Sequence, residues 1–371
     1  MAKAIECKSV SKLCLVEYPT PEPAEDSILL KVLRSGVCGT DLQGIEGRRS
    51  LRYPVIPGHE IVAVVDKIGR QALKYIKVFG GNKLKEGDMV TINPRIVCGT
   101  CYYCQHLPHR QEMCLNARTY GSSLGSSQPP HLLGGWAKSL YILPGSEVIK
   151  LPTGLSDNLA VLSEPFACAV SLVDRFSREH DWITGDGFTL NRNIVVYGAG
   201  TIGILMAAAF SLAGAEEIIM LDLIEERLIL SKEFGVSHII NTSINSHYID
   251  EVRELTGGLG VDIIVEACGV PKVLTEGVKL LRRSGKLFEV GHLANVGMAE
   301  IDPHLICRNE IEILGHYAYP SSDSLVYAAK LLAERNFPYE RLIQKISLDN
   351  YGTILDRNGK RNAVKIVFEM E

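Results

Sequence analysis

Ile194-Val195-Val196-Tyr197-Gly198-Ala199-Gly200-Thr201-Ile202-Gly203 decides the fold of this chain. The first four residues are apolar or aromatic and rich in β-branching, which suits a buried strand. Three glycines follow in a G-x-G-x-x-G pattern, with Thr201 and Ile202 filling its second gap. The apolar run 204–210 then reads as a helix. A strand, this glycine pattern and a helix, in that order, are the context a dinucleotide fingerprint needs. Gly198 permits the tight turn, Gly200 admits a pyrophosphate close to the backbone, and Gly203 lets helix and strand pack closely. The helix start offers free N–H groups and a positive dipole end to phosphates.

A second strand, 218–221, ends at Asp222, 19 residues after Gly203. A carboxylate there can bind a ribose diol and would repel a 2′-phosphate. No Arg or Lys follows Asp222 directly, so NAD is expected rather than NADP. The plainer alternative is a structural βαβ unit with an incidental acid. Further on, strands are expected at 237–240, 261–266, 286–291 and 311–315. Helices are expected at 225–234, 249–256 and 273–283. Strands alternating with helices make a doubly wound parallel sheet, so this part is α/β.

The chain has 371 residues, enough for two domains. Its 46% hydrophobic and 22% charged residues are those of a soluble globular protein. A net charge of −4 argues against a nucleic-acid or anionic-membrane partner. No apolar run is long enough to span a bilayer, and the start lacks a signal-type apolar segment, so a cytoplasmic location is expected.

Four of the 10 cysteines, Cys98, Cys101, Cys104 and Cys114, cluster in the lobe 98–114. Clustered cysteines in a reducing compartment favour metal over disulfides. Four thiolates at this spacing suit a closed tetrahedral zinc site. An iron–sulfur cluster is the competitor; its usual short final gap and following proline are replaced here by nine residues and Leu115. His106 and His109 read as exposed loop histidines. Cys7, Cys14, Cys168, Cys268 and Cys307 read as small buried hydrophobes.

The opening 35 residues carry strand-like runs punctuated by Pro19, Pro21 and Pro23. Cys38, Thr40 and Asp41 then share a Gly-flanked turn, and His59 and Glu60 stand before a strand at 61–65. Residues 119–135 are rich in Gly, Ser and Pro and read as a cleft-lining or surface loop, followed by a strand at 136–142. Glu164-Pro165 opens a helix running towards Phe176, with Pro165 suited to the first helical position. Glu164 is either a helix cap or a functional carboxylate. A polar connection at 177–192 leads to the fingerprint strand. A helix at 325–335 and a strand at 363–368 close the chain, the strand returning to the first domain.

Together these motifs resemble the medium-chain zinc alcohol dehydrogenase family over nearly the whole chain. The likeness rests on 36–41, Gly58-His59-Glu60, 87–90, the cysteine lobe, Glu164-Pro165, the fingerprint, and Asp222 with Arg227. Glu164-Pro165 looks more like the polyol and threonine dehydrogenases than the liver-type enzymes. The resemblance implies a GroES-like, mostly-β catalytic domain over 1–168 and 316–371, and a Rossmann domain over 169–315. It implies two zinc ions per chain. Cys38 and His59 would hold the catalytic one, with Glu60 or Glu164 as third protein ligand. Asp41 would orient His59 through its other ring nitrogen.

The implied reaction moves a hydride from a secondary alcohol, such as a polyol, to NAD. Thr40 would pass the hydroxyl proton towards the cofactor ribose. Cys268, Val290 and Gly291 would flank the nicotinamide. Where many relatives end this relay in a histidine, the chain has Gln43, which does not titrate, so the proton would leave by water or Glu60. The alternatives are oxidation of an amino alcohol resembling L-threonine, with Arg48, Arg49, Arg52 or Arg118 meeting the carboxylate, and a non-catalytic nucleotide-binding scaffold. By analogy the protein is a homo-oligomer, a tetramer.

Overall fold

The computed structural model describes residues 1–81, 83–178, 192–317, 319–355 and 364–370. The chain divides into two compact units, Met1–Ala167 with Tyr319–Glu371, and Cys168–Ala318.

The first unit is built on strands. A hairpin of Ala2–Ser9 and Lys12–Tyr18 opens it. Its main sheet runs Ile343–Ser347, Lys365–Glu369, Ile28–Gly36, Ile61–Ile68, Met89–Asn93, Glu147–Lys150 and Lys77–Phe79 in spatial order. Ser139–Ile142 also pairs with Ile28–Gly36. The closing strand lies antiparallel to Ile28–Gly36, Val367 opposite Gly36. A core around Ile5, Leu30, Ile61, Trp136 and Phe368 fills this unit. Trp136 meets Phe368 edge-on at 5.2 Å, a favoured aromatic geometry.

The second unit holds six parallel strands in the spatial order His238–Asn241, Glu217–Asp222, Asn193–Tyr197, Val261–Glu266, Leu281–Glu289 and Glu312–Gly315. Numbered along the chain, that is 3-2-1-4-5-6, the doubly wound dinucleotide-binding arrangement. The expected α/β class, with a GroES-like β domain and a Rossmann sheet, is what the structure has. Buried strands read as unbroken apolar runs because helices cover both faces of such a sheet; Ile194, Val195 and Val196 are fully buried.

Several element boundaries differ from the sequence reading. The helix expected at 273–283 is Pro271–Gly277, and Leu281 already begins the next strand. Leu281 pairs with Val261, so the β ladder overrides a helix-compatible run. The strand expected at 136–142 is Ser139–Ile142. Trp136 instead donates its N–H to Pro57 and accepts from Ile5, while Ala137 makes an isolated bridge with Ala4. The helix around Glu164 starts at Ser163, placing Pro165 third. Residues 119–135 pack on the opening hairpin: Ser126 Oγ donates to Glu6 Oε1 at 2.6 Å, and His131 stacks on Tyr18 at 4.6 Å. Most of the expected 177–192 connection lies outside the described residues. No helix among the described residues is long and apolar enough to cross a membrane.

Candidate active site

Cys38 ends the extended segment after Ile28–Gly36 and is the N-cap of the short helix Gly39–Ile45. Asp41, in that helix, accepts the Cys38 backbone N–H through Oδ2 at 2.9 Å. Its other oxygen lies 3.2 Å from His59 Nδ1. One buried carboxylate thus fixes both the Cys38 backbone and the His59 ring, leaving Nε2 for a ligand. His59 and Glu60 directly precede the strand Ile61–Ile68. Ligand atoms of Cys38, His59 and Glu60 all lie within 4.8 Å of one another.

The field at this site favours a cation. Burial opposes a charged imidazole, yet Asp41 and Cys38 outweigh it and hold the His59 pKa well above its ordinary value. Glu164 is 5% exposed and stands outside the three-residue constellation. Burial first, then the nearby Glu60, pushes its carboxyl up to about 7 against the opposing pull of His59. Two acids, a thiol and an imidazole in one buried place form a donor set suited to a divalent ion.

Sequence reasoning missed Lys365. Its ammonium is 2.6 Å from both Glu60 oxygens and 3.2 Å from the Val37 carbonyl, and it is 2% exposed. Burial disfavours the ammonium, but Glu60 outweighs that and raises its pKa. The available signal was a lysine within the otherwise apolar run 363–368, since a lysine buried there needs a partner. Gly36 makes room for this pair: a Cβ there would stand on Glu60 Oε2. The Thr40 hydroxyl is buried without a hydrogen-bond partner among the described residues, as is Gln43 Oε1.

In the cysteine lobe the sulfur–sulfur distances are 3.6 Å for Cys98–Cys114, 3.5 Å for Cys101–Cys104, and 4.0 Å for both Cys98–Cys104 and Cys101–Cys114. A tetrahedron with zinc–sulfur bonds of about 2.3 Å has edges of about 3.8 Å, so the four thiols fit that ion. Backbone and hydroxyl hydrogen bonds from Thr100 pull the Cys98 thiol down to about 5. His106 and His109 are exposed. Among the candidate cations, Arg52 and Arg118 are exposed, Arg48 pairs with Glu46, and Arg49 is half-buried.

In the second unit the fingerprint turn has its expected shape. Gly198 has φ +102°, and a Cβ on Gly203 would stand on the Gly198 carbonyl. Gly200 caps the helix Thr201–Leu212, and the space where its Cβ would stand is open. That is the cradle a pyrophosphate needs. Asp222 Oδ2 accepts the Ala199 N–H at 2.6 Å, bringing the acid to the turn. Its Oδ1 accepts from Leu223 and Ile224. Arg227 is electrostatically coupled to Asp222. Cys268 and Gly291 lie at the ends of adjacent strands, Gly269 closely approaching Gly291. Val290 donates its N–H to the Glu266 carbonyl.

Residues 24–153 match the alcohol dehydrogenase GroES-like domain, and residues 200–334 match the zinc-binding dehydrogenase domain. The chain is 27% identical over 363 residues to D-arabitol-phosphate dehydrogenase of Enterococcus avium, covering 96% of this chain and 94% of that one. It is 29% identical over 281 residues to L-threonine 3-dehydrogenase of Thermococcus kodakarensis, covering 75% and 71%. An alcohol dehydrogenase structure from Thermotoga maritima superposes with a TM-score of 0.87 at 24% identity, covering 99% of each chain. A zinc-binding dehydrogenase from Sinorhizobium meliloti 1021 bound to NADP gives 0.82 at 25% identity, covering 100% and 99%.

Proposed function

From the premise that this chain belongs to the zinc-dependent medium-chain alcohol dehydrogenases, oxidoreductases acting on CH–OH groups, we propose that it oxidises a secondary alcohol of a polyol or polyol phosphate with NAD. One observation carries the reading: Cys38, His59 and Glu60 converge within 4.8 Å, on the same short segments as a buried Thr40 hydroxyl that has no partner among the described residues. When bound, zinc supplies Lewis acidity and the oxidised nicotinamide accepts a hydride.

The residues do the rest. Cys38 and His59 hold the metal, and Asp41 fixes the imidazole. Glu60 is the third donor in closest company with them, and Glu164 is the alternative. Lys365 offsets the charge of Glu60, so the thiolate and one further carboxylate balance a divalent ion. The Thr40 hydroxyl takes the substrate hydroxyl's proton through a hydrogen bond. Gln43 cannot carry that proton onward, so solvent does, or Glu60 where Glu164 is the third donor instead. Cys98, Cys101, Cys104 and Cys114 hold a second zinc that shapes their lobe.

NAD is preferred to NADP because the Asp222 carboxylate sits at the fingerprint turn and Leu223 and Ile224 follow it in place of basic residues. The polyol reading draws on the arabitol-phosphate relative that spans nearly the whole chain. The amino-alcohol reading draws on the threonine dehydrogenase match. A panel of polyols, polyol phosphates, simple secondary alcohols and L-threonine, each with NAD and with NADP, separates these by NADH or NADPH formation. Chelator-sensitive NAD reduction with a polyol or its phosphate supports the proposal. Turnover restricted to L-threonine, or higher efficiency with NADP, rejects the corresponding part.

A further inference from the structure

Val261–Glu266 and Leu281–Glu289 end side by side, with Glu266 opposite Glu289 in register. Two carboxylates facing each other across a ladder repel unless something stands between them. Glu266 is fully buried, and its Oε1 accepts the backbone N–H groups of Cys268, Gly269 and Val270 at 3.0, 2.7 and 3.4 Å. The Cys268 thiol also donates to that oxygen, and Gly291 N–H donates to Oε2 at 3.2 Å. His292 fills the remaining gap. Its Nδ1 lies 2.7 Å from Glu289 Oε1 and 3.4 Å from Glu266 Oε2, and its backbone N–H donates to Glu289 Oε1 at 3.0 Å.

A ring clamped at Nδ1 by two acids and at its backbone by one of them has little freedom. Its other nitrogen, Nε2, is buried and meets no partner among the described residues; nor does Glu289 Oε2. A buried nitrogen left in this way is costly unless something supplies its hydrogen bond. A pocket of about 380 Å³ adjoins, lined in part by Glu289, His292, Pro271, Leu274 and Leu293. The site lies at the carboxyl ends of the parallel strands, the edge at which such sheets bind ligands. It is also next to the fingerprint turn, since a Cβ on Gly198 would touch Cys268.

We propose that His292 is a dinucleotide-contacting residue. Its Nε2 exchanges a hydrogen bond with the nicotinamide-riboside half of the cofactor, while Glu266 and Glu289 position the ring. The carboxamide and the ribose hydroxyls each offer both donor and acceptor, so either sense of that bond is met. This rests on the dinucleotide reading of the second unit proposed above.

Calorimetric titration of the zinc-loaded full chain with NADH and with ADP, which lacks the whole nicotinamide-riboside half, tests it. Wild-type protein that binds neither ligand would strike the dinucleotide reading itself. If the wild type binds both, His292→Ala should weaken NADH about 10-fold, the worth of one hydrogen bond, and change ADP less than about twofold. His292→Gln, which keeps a donor and an acceptor, should recover part of the loss. Unchanged NADH affinity in His292→Ala, or equal loss for both ligands in both variants, would overturn the proposal. So would a third zinc equivalent in the wild type that His292→Ala removes, since the cluster would then be a metal site.

Discussion

Replacing Lys365 with Met removes the cation beneath Glu60 while roughly keeping volume. At 2.6 Å from each Glu60 oxygen, the pair has a gross attraction of about 6 kcal/mol at an effective dielectric of about 20. Much of that is offset by the cost of burying both charges. Removing one partner alone strands the other, however, and typically costs about 3–5 kcal/mol. Both side chains are at most 2% exposed, so water gives little relief. The first unit's thermal midpoint should therefore fall by about 10 °C, taking about 2–4 °C per kcal/mol. Denaturation followed by fluorescence on wild type, Lys365→Met, Glu60→Gln and the double variant completes a cycle. The double variant should be more stable than the summed single losses by about 2 kcal/mol or more. A Lys365→Met loss below about 1 kcal/mol, or additive losses, would refute the view that this pair is a buried, mutually dependent charge couple.

Thr40→Val should lower kcat about 100-fold or more, the range of a lost proton-transfer contact. Thr40→Ser should restore most of it, and steady-state kinetics on the best panel substrate decides. Cys104→Ser should remove one zinc per chain and expose the 98–114 lobe to protease, while dinucleotide affinity stays unchanged; metal analysis and limited proteolysis check this. Asp88 is disfavoured by burial, but Lys150 Nζ at 2.9 Å and the Lys85 N–H outweigh that and hold its pKa below the ordinary value. Its stabilisation is therefore present above the unfolded carboxylate pKa of about 3.9 and is lost as pH falls below it. Asp88→Asn should cost about 1 kcal/mol at pH 7, a deficit that shrinks below about pH 4 in denaturant titrations.

The second unit was the more legible half because its strands are buried on both faces. Runs such as Ile194-Val195-Val196 carry that burial in their composition, and the three glycines mark the turn. The convergence of Cys98, Cys101, Cys104 and Cys114 was legible because residue type and spacing are local. The buried ion pair was not, because Glu60 and Lys365 are 305 residues apart and meet only through the pairing of the closing strand with Ile28–Gly36. The cluster around His292 was hidden similarly: Glu266 and Glu289 are ordinary strand-end acids until parallel register sets them opposite. Leu281-Arg282-Arg283 was misread as helix because a helical period and a ladder partner are both compatible with it, and only Val261 decides. Trp136 was misread as strand because an aromatic residue suits strands, whereas its backbone bonds to Ile5 and Pro57.

The most direct test of the account is zinc content and turnover measured on the same preparations of wild type and Cys38→Ser. Two zinc ions per chain in the wild type, one in the variant, and lost turnover with NADH binding intact are the predicted result. A Cys38→Ser protein that keeps two zinc ions, or that turns over at the wild-type rate, would contradict a catalytic metal held by Cys38 and His59.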